Sequence, residues 1–157
     1  MVGATRTYLT QPGNEGGVDF FALIPAPGRC HLFSGTSGPL RIVGQSKRYD
    51  SPVEVGRVRD FITTLENVKK RQPSVESHVP NWFRTARGAI VGWIIAHRGL
   101  QSGALQMAVD HGIVVADSLD MAEIVTLSRV VGNGLKSPER VAEVRKMIQD
   151  RLIRTHE

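Results

Sequence analysis

The chain has 157 residues, a formal net charge of +5 and 41% hydrophobic residues, which suits one globular domain with a sizeable core. Its one cysteine, Cys30, excludes an internal disulfide and a cysteine-rich metal site. No apolar run approaches the ~18 residues of a membrane helix, and the first residues lack the apolar core of a signal peptide. We therefore expect a cytoplasmic protein with no membrane partner.

Positive charge is concentrated in the middle of the chain. Residues 41–100 contain 11 Lys and Arg against 5 Asp and Glu, whereas the remainder contains 9 against 10. Such clustering is typical of a nucleic-acid surface, and a solvated basic face is the alternative. A nucleic acid is the partner we expect, with four arginines as candidate contacts: Arg48, Arg57, Arg84 and Arg87.

Strands dominate the first third of the chain. Residues 4–10 alternate weakly and predict a short edge strand. Two apolar runs predict further strands at about 17–25 and 40–48, with clusters of Gly and Pro between them. From Ser51-Pro52 the pattern changes to helical spacing, and Ser51 with Pro52 and Glu54 is the predicted helix start.

The second half of the chain predicts alternating strands and helices. Residues 71–87 read as a polar loop, and 89–96 are apolar on both faces, as in a central parallel strand. A helix over Ser102–His111, a buried strand at 113–116, and helices at about 118–129 and from 137 follow. The order predicts an α/β fold with a mixed central β-sheet flanked by helices.

Three polar residues interrupt these buried strands. Asp19 precedes one apolar run, and Gln45 and Lys47 close another. Side chains alternate faces along a strand, so Gln45 and Lys47 project to the same side. If the two strands pair, all three side chains converge. A carboxylate, an amide oxygen and an ammonium suit a divalent metal acting on a phosphodiester.

These segments resemble the Mrr-type restriction endonuclease domain, a branch of the PD-(D/E)xK nuclease superfamily. Gly16-Gly17-Val18-Asp19 matches its glycine-rich turn and metal-binding aspartate, and Gln45-Ser46-Lys47-Arg48-Tyr49 matches its Gln-x-Lys followed by Arg-Tyr. Residues 55–61 resemble the helix that follows the catalytic strand. The likeness covers roughly residues 10–127 and implies a restriction-endonuclease-like fold and a Mg²⁺-dependent DNA endonuclease.

The resemblance also implies individual roles. Asp19, Gln45 and the backbone carbonyl of Ser46 would hold Mg²⁺, or alternatively Mn²⁺, through hard oxygen ligands. Lys47 would position the attacking water and offset charge on the phosphate. Glu15 is the nearest further acid and a candidate catalytic group. The five histidines show neither metal-ligand spacing nor a partnered nucleophile.

The resemblance also shows departures. Members of the branch usually begin with a helix that often carries a further glutamate, and too few residues precede Gly17 for it. A missing N-terminal segment or a partner chain would explain this. We divide the chain into a nuclease core at 1–130 and a helical extension of the same domain at 131–157. Two catalytic domains pair in many superfamily enzymes, so a homodimer is one arrangement to test.

Two other functions remain open from the residues. The neutral Gln45 and the short start are compatible with a nuclease-fold module that binds DNA, or has a structural role, and no longer cleaves. A Holliday junction resolvase of the same superfamily is the third candidate, although those relatives commonly carry a carboxylate where Gln45 stands.

Overall fold

The computed structural model describes residues 4–11, 17–25 and 38–124, in which a five-stranded sheet is packed against helices. The strands are β1 (Arg6–Leu9), β2 (Phe20–Ile24), β3 (Leu40–Lys47), β4 (Ile90–Ala96) and β5 (Val114–Ala116). The helices are α1 (Val55–Lys69), α2 (Pro73–Glu76), α3 (Asn81–Thr85) and α4 (Ser102–Asp110). Within these ranges, no helix is long and apolar enough to cross a membrane.

The sheet is mixed, with spatial order β1-β2-β3-β4-β5. The first three strands pair antiparallel, whereas β3, β4 and β5 pair parallel. Parallel neighbours require a crossover, and the helices α1 to α3 and α4 lie in the two crossovers. The predicted mixed α/β sheet is therefore confirmed, and so is the central parallel strand at 89–96.

Helix α1 covers one face of the sheet because its apolar residues fall on one stripe. Val58, Phe61, Leu65 and Val68 are all buried, at intervals of three or four residues. They join Phe21 of β2, Val43 of β3, and Ile94 and Ala96 of β4 in one apolar cluster. Burying each such side chain contributes about 1.5–3 kcal/mol. A smaller cluster around Phe20, Ala22 and Ile42 forms on the opposite face.

The predicted helix start at Ser51-Pro52 is wrong, because α1 begins at Val55 with Glu54 as the preceding cap residue. The intervening Val53 is extended and forms a parallel bridge with Leu100. Its N–H donates to the carbonyl of Gly99 and its carbonyl accepts from the N–H of Gln101, both at 3.0 Å. These bonds and the burial of Val53 hold Val53 in an extended conformation, so the helix cannot begin before Val55.

The predicted loop at 71–87 contains the two short helices α2 and α3. Their apolar residues Val75, Val79 and Phe83 are buried, and the Phe83 ring lies 4.9 Å from that of Phe21. Three apolar residues among polar ones are too few to reveal a helical period, so packing against the core decides the conformation.

The elements from α4 onward largely match those predicted from the sequence. Helix α4 ends at Asp110, and Gly112 follows with a positive φ of 64°. The strand β5 was expected to be buried, but it lies at one end of the sheet and Val114 is 49% exposed. Residues 118–124 are helical. The remainder of that helix, the helix expected from 137 and the division at 130 fall outside the described residues.

Gly44 of β3 tests the register of the sheet. Its cross-strand partner is Phe20, and a Cβ added to Gly44 would lie 1.9 Å from the Cζ of that ring. The ring is also held edge-on against Trp93, so it has little freedom to move. We expect Gly44→Ala to lower the free energy of unfolding by about 1–3 kcal/mol in urea denaturation.

The matched control is Gly56→Ala in the first turn of α1, where an added Cβ meets nothing within 4 Å. Alanine favours the helix over glycine by up to ~1 kcal/mol, so this variant should be at least as stable as the parent. Equal unfolding midpoints for Gly44→Ala and the parent would contradict the pairing of Phe20 with Gly44.

Candidate active site

The three polar residues singled out in the sequence lie at one edge of the sheet. The pairing of β2 with β3 ends at Phe20 and Gly44, and Asp19 directly precedes Phe20, so it lies beside the end of β3 that carries Gln45 and Lys47. Side chains alternate along β3, which puts Gln45 and Lys47 on the face that α1 covers. The same edge contains the carboxyl ends of β4 and β5, because they run parallel to β3.

The carboxylate of Asp19 extends the pairing of β2 with β3. The backbone N–H of Asp19 donates to the carbonyl of Gly44 at 2.9 Å. Its side-chain Oδ2 then accepts the backbone N–H of Ser46 at 2.6 Å. This charge-assisted hydrogen bond fixes an exposed carboxylate beside the end of β3. A carboxylate has four lone-pair sites, so it can accept this bond and still bind a cation.

Gln45 is the one buried polar side chain among the described residues, at 7% exposure. Its Nε2 donates to the carbonyl of Gly17 at 2.7 Å, which removes the cost of burying an unpaired amide donor. Gly17 has φ of 68°, and a Cβ there would lie 3.0 Å from Oγ1 of Thr64. Glycine is therefore required in this turn for both its conformation and its small size.

Lys47 ends β3 and is half-buried. Its carbonyl accepts the N–H of His97 at 3.0 Å, so the backbone at this point is fixed. Within the described ranges, no carboxylate lies within 4 Å of its ammonium. The positive charge of Lys47 is thus uncompensated by any described acid, and it is available to an anionic ligand.

A histidine and a serine at the same edge were missed from the sequence. His97 directly follows β4, and its Nδ1 lies 2.7 Å from Oγ of Ser118, two residues after β5. The contact was not expected from the sequence, and His97 is an exposed histidine with a hydrogen-bond partner. The two residues are 21 positions apart, so spacing did not reveal them. Their shared place after two adjacent parallel strands was the available signal.

The candidate metal-ligand atoms at this edge are oxygens, which suits a hard cation such as Mg²⁺. They come from Asp19, Gln45 and the backbone of Ser46. The carbonyl of Ser46 points toward Asp19. Backbone N–H and C=O groups of alternate residues point to the same side of a strand, and both Gly44 and Ser46 bond to Asp19. In the part of the chain that is described, no three His, Cys, Asp or Glu side chains cluster as a metal site. Glu15 lies outside that part.

The four candidate DNA-binding arginines fall into two groups at opposite edges. Arg48 follows β3 directly, and Arg57 lies in the first turn of α1, so both are near the candidate site and exposed. Arg84 lies in α3 and Arg87 just before β4, at the other edge of the sheet. Arg84 Nη1 is also paired with Glu76 Oε1 at 3.2 Å.

No protein-family model and no curated protein matches the chain. Among solved structures, it is similar to the MspJI restriction endonuclease in complex with a 27-mer oligonucleotide, with 16% identity, a TM-score of 0.46 and coverage of 94% of this chain and 27% of that one. It is also similar to the DNA modification-dependent restriction endonuclease AspBHI, with 18% identity, a TM-score of 0.45 and coverage of 93% and 31%. The chain spans less than a third of either, and likeness at this level carries no functional inference.

Proposed function

We propose that this chain is the catalytic domain of a metal-dependent DNA endonuclease of the Mrr type, acting in restriction of DNA in the cytoplasm. The observation that carries the proposal is the hydrogen bond from the backbone of Ser46 to the Asp19 carboxylate. It fixes the carboxylate beside the strand end that carries Gln45 and Lys47. An acid, a neutral oxygen donor and a free ammonium at one sheet edge suit phosphodiester hydrolysis.

Asp19, the amide oxygen of Gln45 and the carbonyl of Ser46 are the groups that would hold Mg²⁺ or Mn²⁺. When bound, such an ion supplies a more acidic water and neutralises charge on the phosphate. Hydrogen bonds within the chain hold two of these candidate ligands in fixed positions. Asp19 is held by Ser46, and the Gln45 amide is oriented by its bond to Gly17, which turns its oxygen away from that carbonyl.

Lys47 supports the reaction through its charge. Hydrolysis places a further negative charge on the phosphate as water attacks phosphorus and a P–O bond breaks. A cation already fixed at a strand end stabilises that charge without reorganising. The half-buried position of Lys47 lowers the local dielectric constant and so strengthens the interaction. Arg48 and Arg57, exposed at the same edge, would contact neighbouring phosphates of the duplex.

Removing the ammonium group of Lys47 should abolish cleavage. We expect Lys47→Met to reduce nicking of supercoiled plasmid in Mg²⁺ by about 100-fold or more, because the developing charge loses its stabilising partner. Asp19→Asn should have a similar effect, since a neutral amide binds a divalent cation poorly.

The matched control is Lys70→Met, which makes the same change on an exposed lysine at the far end of α1. It should cleave at the parental rate. Parental rates in Lys47→Met and Asp19→Asn, measured on folded protein, would contradict the proposed roles.

Gln45→Glu separates the structural role of this residue from metal binding. A carboxylate cannot donate to the Gly17 carbonyl, so without metal the variant should lose about 1–3 kcal/mol of unfolding free energy. The added negative charge should strengthen cation binding. Mn²⁺ should therefore raise the melting temperature of Gln45→Glu by more than that of the parent.

Gln45→Leu is the comparison, since it loses the same hydrogen bond without adding charge. It should show the destabilisation with a smaller response to Mn²⁺. Identical responses to Mn²⁺ in the parent, Gln45→Glu and Gln45→Leu would contradict a cation next to residue 45.

One observation favours a second candidate function. The described residues contain no cluster of three His, Cys, Asp or Glu side chains that could hold a metal ion, and Gln45 is already engaged in a structural bond. A DNA-binding module that does not cleave would have these features. Salt-dependent DNA binding without cleavage in Mg²⁺ or Mn²⁺ at any pH would support that function instead.

A further inference from the structure

A second cluster of positive charge surrounds a cavity at the opposite edge of the sheet. The cavity has a volume of about 140 Å³ and lies between the last turn of α1, helices α2 and α3, and the first residues of β3 and β4. Three of its lining residues are Arg41, Arg71 and Arg84, and we call this site the arginine pocket. Phe83, neighbouring aliphatic side chains, Lys69 and the carboxylate-bearing Glu76 also line it.

Backbone carbonyls hold two of the three guanidinium groups in place. Arg41 donates from Nε to Gly88 at 3.0 Å and from Nη1 to Phe83 at 3.4 Å. Its guanidinium also lies 5.6 Å from the centre of the Phe83 ring. Arg71 donates from Nη2 to the carbonyl of Arg84 at 3.2 Å. Neutral carbonyls orient these cations but leave their positive charge uncompensated.

The acidic residues nearby do not balance the charge. Glu76 pairs with Arg84 at 3.2 Å, and Glu66 is engaged by Lys69 at 2.8 Å. Among the described residues, Nε of Arg84 is buried without a hydrogen-bond partner. Burial, and then the charge of Arg71, lower the pKa of Arg41. The pocket therefore holds like charges close together, and a bound anion would relieve their repulsion.

Arg71 adopts a conformation that favours glycine. Its φ is 53°, the one positive value among the described residues other than glycine. The residue follows the end of α1, where glycine commonly occupies this conformation. Its guanidinium donates to the carbonyl of Arg84 in the last turn of α3, and not to the last carbonyls of α1. The side chain therefore reaches across from the end of α1 to the pocket that it lines.

We propose that the arginine pocket binds a phosphate group. Guanidinium groups present planar pairs of donors that match phosphate oxygens, and they remain charged at all physiological pH values. Arg41 and Lys47 are six residues apart on one strand, which separates the pocket from the candidate active site by about 20 Å. The proposal therefore does not rest on nuclease activity. The phosphate can belong to a small molecule or to the DNA backbone.

The test is calorimetric titration of the full chain with inorganic phosphate, without divalent metal and at constant ionic strength. We expect Arg71→Gly to weaken binding about tenfold or more, through loss of a charged donor. Without phosphate, its melting temperature should equal or exceed that of the parent, because glycine suits the backbone. Arg84→Met should weaken binding as well, and Arg59→Ala, an exposed arginine of α1, should bind like the parent.

Absence of saturable phosphate binding, or equal affinity in the parent and Arg71→Gly, would overturn the proposal. Two further titrations identify the source of the phosphate. A 5′-mononucleotide that binds more tightly than phosphate, with duplex binding unaffected by Arg71→Gly, indicates a small ligand. A parallel loss of duplex affinity in Arg71→Gly indicates a backbone phosphate. Because no cleavage is measured, failure of the nuclease proposal would leave these results unchanged.

Discussion

The pairing of β3 on both of its edges is the constraint on which the rest of the molecule depends. β3 pairs antiparallel with β2 and parallel with β4, so it joins the two kinds of sheet. Its central residues are buried on both faces, and Gly44 leaves room for the ring of Phe20 to lie across the strand. A shift of one residue would exchange the two faces and bury the wrong side chains. The register of β3 therefore fixes both clusters of the core.

The same register produces the polar edge. The pairing of β2 with β3 ends at Phe20 and Gly44, and one residue later a side chain takes over the role of the backbone. The Asp19 carboxylate accepts the N–H of Ser46, which would otherwise lack a strand partner. Gln45, on the covered face, satisfies the carbonyl of the Gly17 turn. Groups that suit cation binding thus also complete the hydrogen bonds of the strand end.

The two ends of β3 differ in how their positive charge is held. At the carboxyl end, Lys47 has no acidic partner among the described residues and stands beside a carboxylate-bearing turn. At the amino end, Arg41 is held by carbonyls and by an aromatic ring next to two further arginines. One end combines charges of both signs, which suits a metal and a phosphate together. The other end is mainly cationic, which suits an anion alone.

The sequence by itself determined the mixed sheet and the side of the strand on which Gln45 and Lys47 lie, since period-two alternation and strand order are local properties. Tertiary structure decided the start of α1, the helices α2 and α3, the contact of His97 with Ser118 and the division of the arginines between two edges. Each of these depends on contacts between residues distant in the chain, such as Val53 with Leu100 or Phe83 with Phe21. Local sequence patterns do not predict such contacts, because the energy that stabilises them arises only when the strands have paired and the core is packed.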